Sequence, residues 1–346
     1  MKIAVFDKVR SVKIETITKP EVTDETVLVK VLASAICTWE QRVYSGVKEV
    51  EFPFVGGHEI SGEIVDVGKN IDLKKFKLGQ KVVVGTFLSC YECDACKRGD
   101  HQVCEYLDHS RKLEGTDFIG MGGFSEYLVV HPKHLFKYES MKDEIACLIE
   151  PVSCCIHSIE KSGIQFGDTV LIIGCGIMGL LHAQLALKKG AVVYACDSNR
   201  TRLELAKKFG VKEIINIAHE DLESKVSKLT NKGMIDHLFN TTATSETVPS
   251  FMKLLSVGGK QTMYSSFYPD KLTEVSPDSI HKKEQNLLGT SNSNSRDFMR
   301  AIRMVENGII DLSPFVSELI EFDDIKEALE KSVTEENYRV VLKVSE

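Results

Sequence analysis

A chain of 346 residues exceeds the usual size of one domain and points to two, at about 150 residues each. With 43% hydrophobic and 27% charged residues it is globular in composition and not disordered, and a net charge of −7 argues against a surface built for nucleic-acid phosphates. No apolar run approaches the roughly 18 to 20 residues of a membrane span, and the start MKIAVFDKVRSVKIE lacks the charged head and long apolar stretch of a secretory signal. The expectation is a cytoplasmic protein with no membrane or nucleic-acid partner.

The first third reads as β. MKIAVFD, SVKIETIT, TVLVKVLASAI, ISGEIVDVG, QKVVVG and FSEYLVV are short and rich in β-branched residues. Gly, Pro, Lys and acidic residues punctuate them, as in a barrel-like or sandwich-like domain. The rhythm changes near residue 165. DTVLIIG is a continuous apolar run, as expected of a strand buried on both faces. IMGLLHAQLALKKG has helical spacing and stops at Gly190; VVYACD is a strand; NRTRLELAKKFG is a helix stopped by Gly210. EIINI, a polar helix through 219–232, MIDHLFNTT, a helix ending at Gly258 and Gly259, and KQTMYSS continue the alternation. Such alternation predicts βαβ units and a parallel sheet. Two helices, SRDFMRAIRMVENG and FDDIKEALEKSV, and a closing strand, YRVVLKV, complete the chain. The clearest boundary lies between Glu150 and Gln165, and a second near residue 290, at NSNSR.

Gly174-Cys175-Gly176-Ile177-Met178-Gly179 is a G-x-G-x-x-G that follows a strand and opens a helix, the context a dinucleotide site requires. Gly174 allows the tight turn, Gly176 admits a pyrophosphate, and Gly179 lets helix and strand pack. The helix N-terminus offers free N–H groups and a positive dipole to the phosphates. Asp197 ends the next strand, where an acid accepts from the ribose hydroxyls and repels a 2′-phosphate. That favours NAD over NADP, with Arg200 and Arg202 nearby to soften the preference. Thr241 to Thr244 follow a strand and reach the sheet edge where ligands bind, either beside the nicotinamide half or as a plain polar loop.

Ten cysteines in a reducing compartment suggest metal before disulfides. Cys90-x2-Cys93-x2-Cys96-x7-Cys104 is the strongest signal in the chain. Four thiolates close a tetrahedral zinc site, leave no open position and fold a loop with no core of its own. The remaining candidate ligands are Cys37, the pair His58-Glu59, and Glu150. One thiolate, one imidazole and one carboxylate would leave a position open for water or a substrate oxygen.

GGHEISGEIVDVG, the four-cysteine lobe, Glu150-Pro151 and VLIIGCGIMG occur in the order and spacing of the zinc-dependent medium-chain dehydrogenases, and the chain resembles that family over nearly its full length. EPVSCCIHSI resembles the sorbitol, galactitol-phosphate and threonine dehydrogenase branch. The resemblance implies an α/β fold: a GroES-like β-rich catalytic domain over 1–155 with its structural zinc lobe at about 88–106, a Rossmann NAD-binding domain with a doubly wound parallel sheet over 156–290, and a return to the catalytic domain over 291–346. It implies catalytic zinc on Cys37, His58 and Glu150, with Glu59 a nearby acid able to become a ligand. It also implies a homodimer or homotetramer.

Zinc as a Lewis acid lowers the pKa of a bound alcohol, and NAD accepts the hydride. The implied function is therefore interconversion of a secondary alcohol, a polyol or polyol phosphate, and its ketone. Alternatives are a threonine-type amino-alcohol dehydrogenase and, in another class, a non-catalytic nucleotide or redox sensor of the same fold. Zinc-free reductases of the wider family are disfavoured by the presence of Cys37, His58 and Glu150.

One segment departs from the family. Most relatives read Cys-Gly-Ser/Thr-Asp; this chain reads Cys37-Thr38-Trp39-Glu40. The family's proton-relaying hydroxyl falls at Trp39, whose indole N–H cannot relay. The expected route runs through Thr38, or through Glu40 or water. Trp39 reads equally as a pocket wall or as core. Arg42 reads as a holder of phosphate or carboxylate or, more simply, as a solvated arginine.

Overall fold

The structure, a computed structural model, describes residues 1–85, 89–230 and 234–345. Residue 88 of the expected zinc lobe and residues 231 and 232 of the expected polar helix lie outside them. The chain forms two compact units, Met1–Ser153 with Ser293–Glu346, and Cys154–Asn292.

The first unit is built around Val27–Ala35, a strand with eight of nine residues buried. Its apolar run serves both faces, so a sheet must cover it on both sides. Glu59–Val67 pairs antiparallel along one edge. Tyr127–Val130 takes the other edge at Val27 to Lys30, and Arg339–Lys343 takes it at Ala33 to Ala35. Val316–Glu321, Lys81–Val84 and Leu135–Lys137 extend this seven-stranded sheet. A smaller sheet holds Ser11–Thr16, Lys2–Lys8, Phe54–Val55 and Ile119–Gly120. Ile3, Phe6, Phe54, Ile60, Ile64 and Phe124 are fully buried in the core of the unit. A helix not foreseen in this β-rich third, Thr38–Ser45, follows the central strand and ends at Gly46 in the left-handed region, φ 79°. Eight residues of mixed polarity are too few to declare a helical period.

The second unit is a six-stranded parallel sheet in the order Glu213–Asn216, Val192–Asp197, Thr169–Ile173, Ile235–Asn240, Leu255–Met263, Asn286–Gly289. Numbered within the unit this is 3-2-1-4-5-6, the doubly wound dinucleotide-binding order. The order reverses between Thr169–Ile173 and Ile235–Asn240, where such sheets bind ligands. The expected helices form over Ile177–Lys188, Arg200–Lys208 and Leu222–Leu229, the last two capped by the side chains of Asn199 and Asp221. One expectation fails. Gly258 and Gly259 do not end a helix but lie inside the strand Leu255–Met263. The ladder shifts register between Ile235 and His237, so the glycines mark an irregularity in a strand, the other structural use of paired glycines.

His182 lies wholly inside this unit, with Nδ1 2.7 Å from the Met178 carbonyl and Nε2 2.9 Å from Ser158 Oγ. Burial holds its pKa down at about 4. The folded chain therefore keeps His182 neutral while the unfolded chain protonates below the ordinary value of 6.5. Stability is full at neutral pH and falls as pH drops from about 6.5 towards 4, by about 2 kcal/mol at pH 5. Urea titrations at pH 7 and pH 5 should show that loss in the wild type and a smaller one in His182→Gln. Equal losses would refute it.

Candidate functional site

Two groups of metal-ligating side chains stand in the first unit: Cys37 with His58 and Glu59, and Cys90 with Cys93, Cys96 and Cys104. In each group the donor atoms lie within 4.8 Å of one another.

The first group is assembled from distant segments. Cys37 is the extended residue preceding the helix Thr38–Ser45, and its neighbour Ile36 donates its N–H to the Val340 carbonyl at 3.0 Å. His58 follows Gly57, whose φ is +88°. A Cβ at Gly57 would stand 2.6 Å from the Phe124 nitrogen, so only glycine makes this turn into the strand Glu59–Val67. Glu40, wholly buried, then orients the imidazole. Its Oε1 accepts the Gly57 N–H at 3.0 Å and faces His58 Nδ1 at 2.7 Å. A carboxylate accepts, so Nδ1 carries the proton and the Nε2 lone pair is left for a metal. Glu40 has no exposed surface of its own.

Glu59 has no exposed surface. Arg339, 3% exposed, forks onto it: Nε donates to Oε2 at 3.0 Å and Nη2 to Oε1 at 3.0 Å. The same Nη2 stands 3.6 Å from Cys37 Sγ. Burial works against the guanidinium charge, but Glu59, Cys37 and Glu150 hold its pKa above the ordinary value. Burial and Glu59 push the Cys37 thiol up, so a bound cation must displace its proton. Burial also opposes charge on His58, yet Glu40 and Cys37 hold its pKa well above the ordinary range, so a bound cation must displace the Nε2 proton as well. Arg339 was not singled out in the sequence; the signal was an arginine inside the apolar run YRVVLKV.

Glu150 lies in the first turn of the helix Ile149–Ser162, half-buried, and its charge is felt at Arg339. It is not one of the residues whose donor atoms meet within 4.8 Å. Thr38 is exposed at the first position of its helix. Trp39 is half-buried against Phe54, with ring centres 5.5 Å apart, and stands edge-on to His58 at 6.2 Å. It is thus both wall and packing residue. Arg42 is half-buried in the last turn of that helix.

In the second group the measured Sγ separations are 3.6 Å for Cys90–Cys104, 3.9 Å for Cys93–Cys104 and 4.0 Å for Cys90–Cys96. Thiolates about 2.3 Å from a tetrahedral ion stand about 3.8 Å apart, so the four residues fit zinc. They are far too separated for disulfides. The N–H groups of Cys90 and Tyr106 point at Cys104 Sγ, and those of Glu92 and Cys93 at Cys90 Sγ, at 3.2 to 3.4 Å. Backbone N–H groups of Cys96 and Glu105 draw the Cys93 thiol down, while burial and the neighbouring thiols push Cys96 up. Amide dipoles thus favour thiolate at Cys93, and a bound cation must displace the proton at Cys96.

In the second unit the glycine loop is interlocked. Gly174 has φ +90°, and its N–H bonds the Cys196 carbonyl at 2.9 Å. A Cβ at Gly179 would stand 1.8 Å from the Gly174 oxygen, a contact no side chain survives. Gly176 precedes the helix that Ile177 and Met178 open. Asp197 accepts the Cys175 N–H at 2.6 Å on one oxygen and the Asn199 N–H at 2.8 Å on the other. Arg202 reaches over the loop, with Nη1 4.0 Å from where a Gly176 Cβ would be. Thr241 donates its hydroxyl to the Ile173 carbonyl at 2.7 Å, with the Gly174 oxygen at 3.2 Å, so it braces the loop.

Comparison with known proteins agrees with this geometry. Residues 23–140 match the alcohol dehydrogenase GroES-like domain, and residues 178–307 match the zinc-binding dehydrogenase domain. A sorbitol dehydrogenase of Bacillus subtilis is 30% identical over 97% of this chain and 95% of its own. A D-arabitol-phosphate dehydrogenase of Enterococcus avium is 30% identical over 93% of this chain and 91% of its own. A crystal structure described as a putative zinc-binding dehydrogenase of Sinorhizobium meliloti bound to NADP superposes with a TM-score of 0.89 at 25% identity, covering 99% of each chain. Among the described residues no helix is long and apolar enough to cross a membrane.

Two substitutions test the construction. Glu40→Ala should weaken metal at the Cys37–His58 group about ten- to hundredfold, read by chelator competition, while the cysteine lobe keeps its ion. Unchanged affinity would mean that Glu40 only packs. Gly179→Val should abolish NADH binding in a fluorescence titration; a Kd within about threefold of wild type would overturn the close-contact reading.

Proposed function

From the premise that this chain belongs to the zinc-dependent medium-chain dehydrogenase family, and so is a zinc-dependent alcohol oxidoreductase that uses a nicotinamide cofactor, we propose that it interconverts a secondary alcohol of a polyol or polyol phosphate and the corresponding ketone, with NAD as hydride acceptor. The observation that carries this reading is the Cys37–His58–Glu59 group, with its imidazole oriented by the buried Glu40. We assign residues 1–155 and 291–346 to the catalytic domain and 156–290 to NAD binding. We further infer two zincs per chain, one catalytic and one in the cysteine lobe, and a homodimer or homotetramer in the cytoplasm.

Cys37 and His58 would hold the catalytic zinc with Glu150 as the carboxylate, while Glu59 stays paired with Arg339 beside them and is the reserve ligand. When bound, zinc supplies a Lewis acid that lowers the pKa of the alcohol. Arg339 pairs with Glu59 and offsets the negative charge that gathers around Cys37. Glu40 holds the imidazole ring at the angle that ligation requires. Trp39 stands edge-on to His58 and walls that side of the ring. We route the alcohol proton through Thr38, the exposed hydroxyl next to Cys37. The N–H groups opening the helix at Ile177 and Met178 receive the cofactor pyrophosphate, with Gly174, Gly176 and Gly179 leaving room for it. Each Asp197 oxygen has accepted one N–H and keeps a lone pair for a ribose hydroxyl. Its charge disfavours a 2′-phosphate, and Arg202 moderates that preference.

Zinc per chain, measured by elemental mass spectrometry, should be two in the wild type and one in Cys37→Ala. One zinc in both would overturn the catalytic-site assignment. Thr38→Val should lower kcat about tenfold or more and shift its pH profile, whereas full turnover with an unchanged profile would exclude that proton route.

A further inference from the structure

Two polar side chains rest on the same indole beside the metal-ligating imidazole, and the zinc chemistry uses neither. His109 lies nearly parallel to Trp39, with ring centres 5.9 Å apart and planes at 27°. Lys48 Nζ stands 5.4 Å from the centre of that same indole. Trp39 itself meets His58 edge-on. One aromatic side chain therefore links the His58 imidazole to a primary ammonium and to a second imidazole.

The local chain holds both groups there. Gly46 ends the helix in the left-handed region, and the Lys48 N–H then donates to the Arg42 carbonyl at 3.0 Å. This turns the chain back so that the lysine lies over Trp39. On the other segment Asp108 Oδ1 accepts the Ser110 N–H at 2.8 Å and closes a tight turn around His109. Lys48 and His109 are both half-buried. Among the described residues Lys48 makes no ion pair and the His109 ring nitrogens make no hydrogen bond. A half-buried lysine without a carboxylate and a half-buried imidazole without a hydrogen bond, both resting on one indole, are an arrangement that packing alone does not require.

We propose that Trp39, Lys48 and His109 form a subsite for an oxyanion at the far end of the substrate, a phosphate monoester or a carboxylate carried on a polyol chain whose secondary alcohol lies at the zinc. This rests on the functional reading above and narrows its substrate class to anionic polyols. Lys48 supplies a primary ammonium, held against the indole of Trp39. His109 supplies a directed N–H. Burial, His58 and Lys48 lower the His109 pKa against the pull of Asp108 and Glu40, so near neutral pH it donates as a neutral ring. The neutral ring adds no second charge, so an uncharged polyol end is tolerated but gains nothing from Lys48.

The test compares glucitol, glucitol 6-phosphate and gluconate as NAD-linked substrates of the zinc-loaded enzyme, with calorimetric binding of the same three compounds to the enzyme–NADH complex. The phosphate and carboxylate arms separate the two oxyanion sources. The wild type should favour one anionic compound over glucitol in kcat/KM or in affinity. In Lys48→Gln that preference should shrink about ten- to hundredfold, in His109→Ala by less, and Lys48→Arg should restore most of it. The ratio cancels any general damage to the fold. Turnover of glucitol with no preference for either anion, or a preference untouched in Lys48→Gln, overturns the subsite and leaves the functional reading standing. No turnover and no binding of any of the three overturns the polyol reading and the subsite with it.

Discussion

A carboxylate with no exposed surface needs a positive charge beside it, and in this protein that charge comes from the far end of the chain. Glu59 and Arg339 are 280 residues apart in sequence and meet through a forked pair at 3.0 Å. Breaking such a pair from one side leaves an unpaired buried charge, at a cost of about 3 to 5 kcal/mol. The strand that carries Arg339 also pairs with Val27–Ala35, two residues from Cys37. A single C-terminal strand thus completes the larger sheet, neutralises the metal-ligating cluster and fixes where Cys37 begins its helix. The return of the chain to its first unit is a requirement of the site.

The two ligand groups illustrate opposite ways of gathering donors. Cys90, Cys93, Cys96 and Cys104 lie within fifteen residues, and backbone N–H groups in the same loop point at their sulfurs. Local chain geometry suffices, and an ion supplies the binding energy that a loop without a core lacks. Cys37, His58 and Glu59 depend on tertiary structure. Gly57 must make a left-handed turn against Phe124, Glu40 must reach back from a helix to His58, and Arg339 must arrive from the last strand. A site made this way holds its ligands in fixed directions before metal binds.

The cofactor-binding unit solves a packing problem of the same kind. Its glycine loop approaches itself so closely that no Cβ fits at Gly179, Gly174 takes the left-handed region against the Thr241 hydroxyl, and Thr241, just after a neighbouring strand, caps the loop carbonyls. Asp197 holds the far side through the Cys175 and Asn199 N–H groups. Three strand ends converge on the loop, at the point where the sheet order reverses.

Short-range information was enough for much of this. Apolar runs and glycine stops declared the strands and helices of the second unit, because each element there is long enough to show its period. The cysteine spacing declared a metal lobe, because its ligands are close in sequence. The helix Thr38–Ser45 was missed because eight mixed residues carry no clear period, and Gly258 and Gly259 misled because paired glycines serve strand irregularities as well as helix ends. What only the tertiary structure decided was which distant charges meet. The Arg339 pairing with Glu59, the burial of Glu40 on His58, and the convergence of Lys48 and His109 on Trp39 are long-range contacts between side chains that look ordinary in sequence. Periodicity and spacing report how a segment folds on its own neighbours. The pairing of buried charges depends on which segments the sheets bring together, and that is settled only when the core closes.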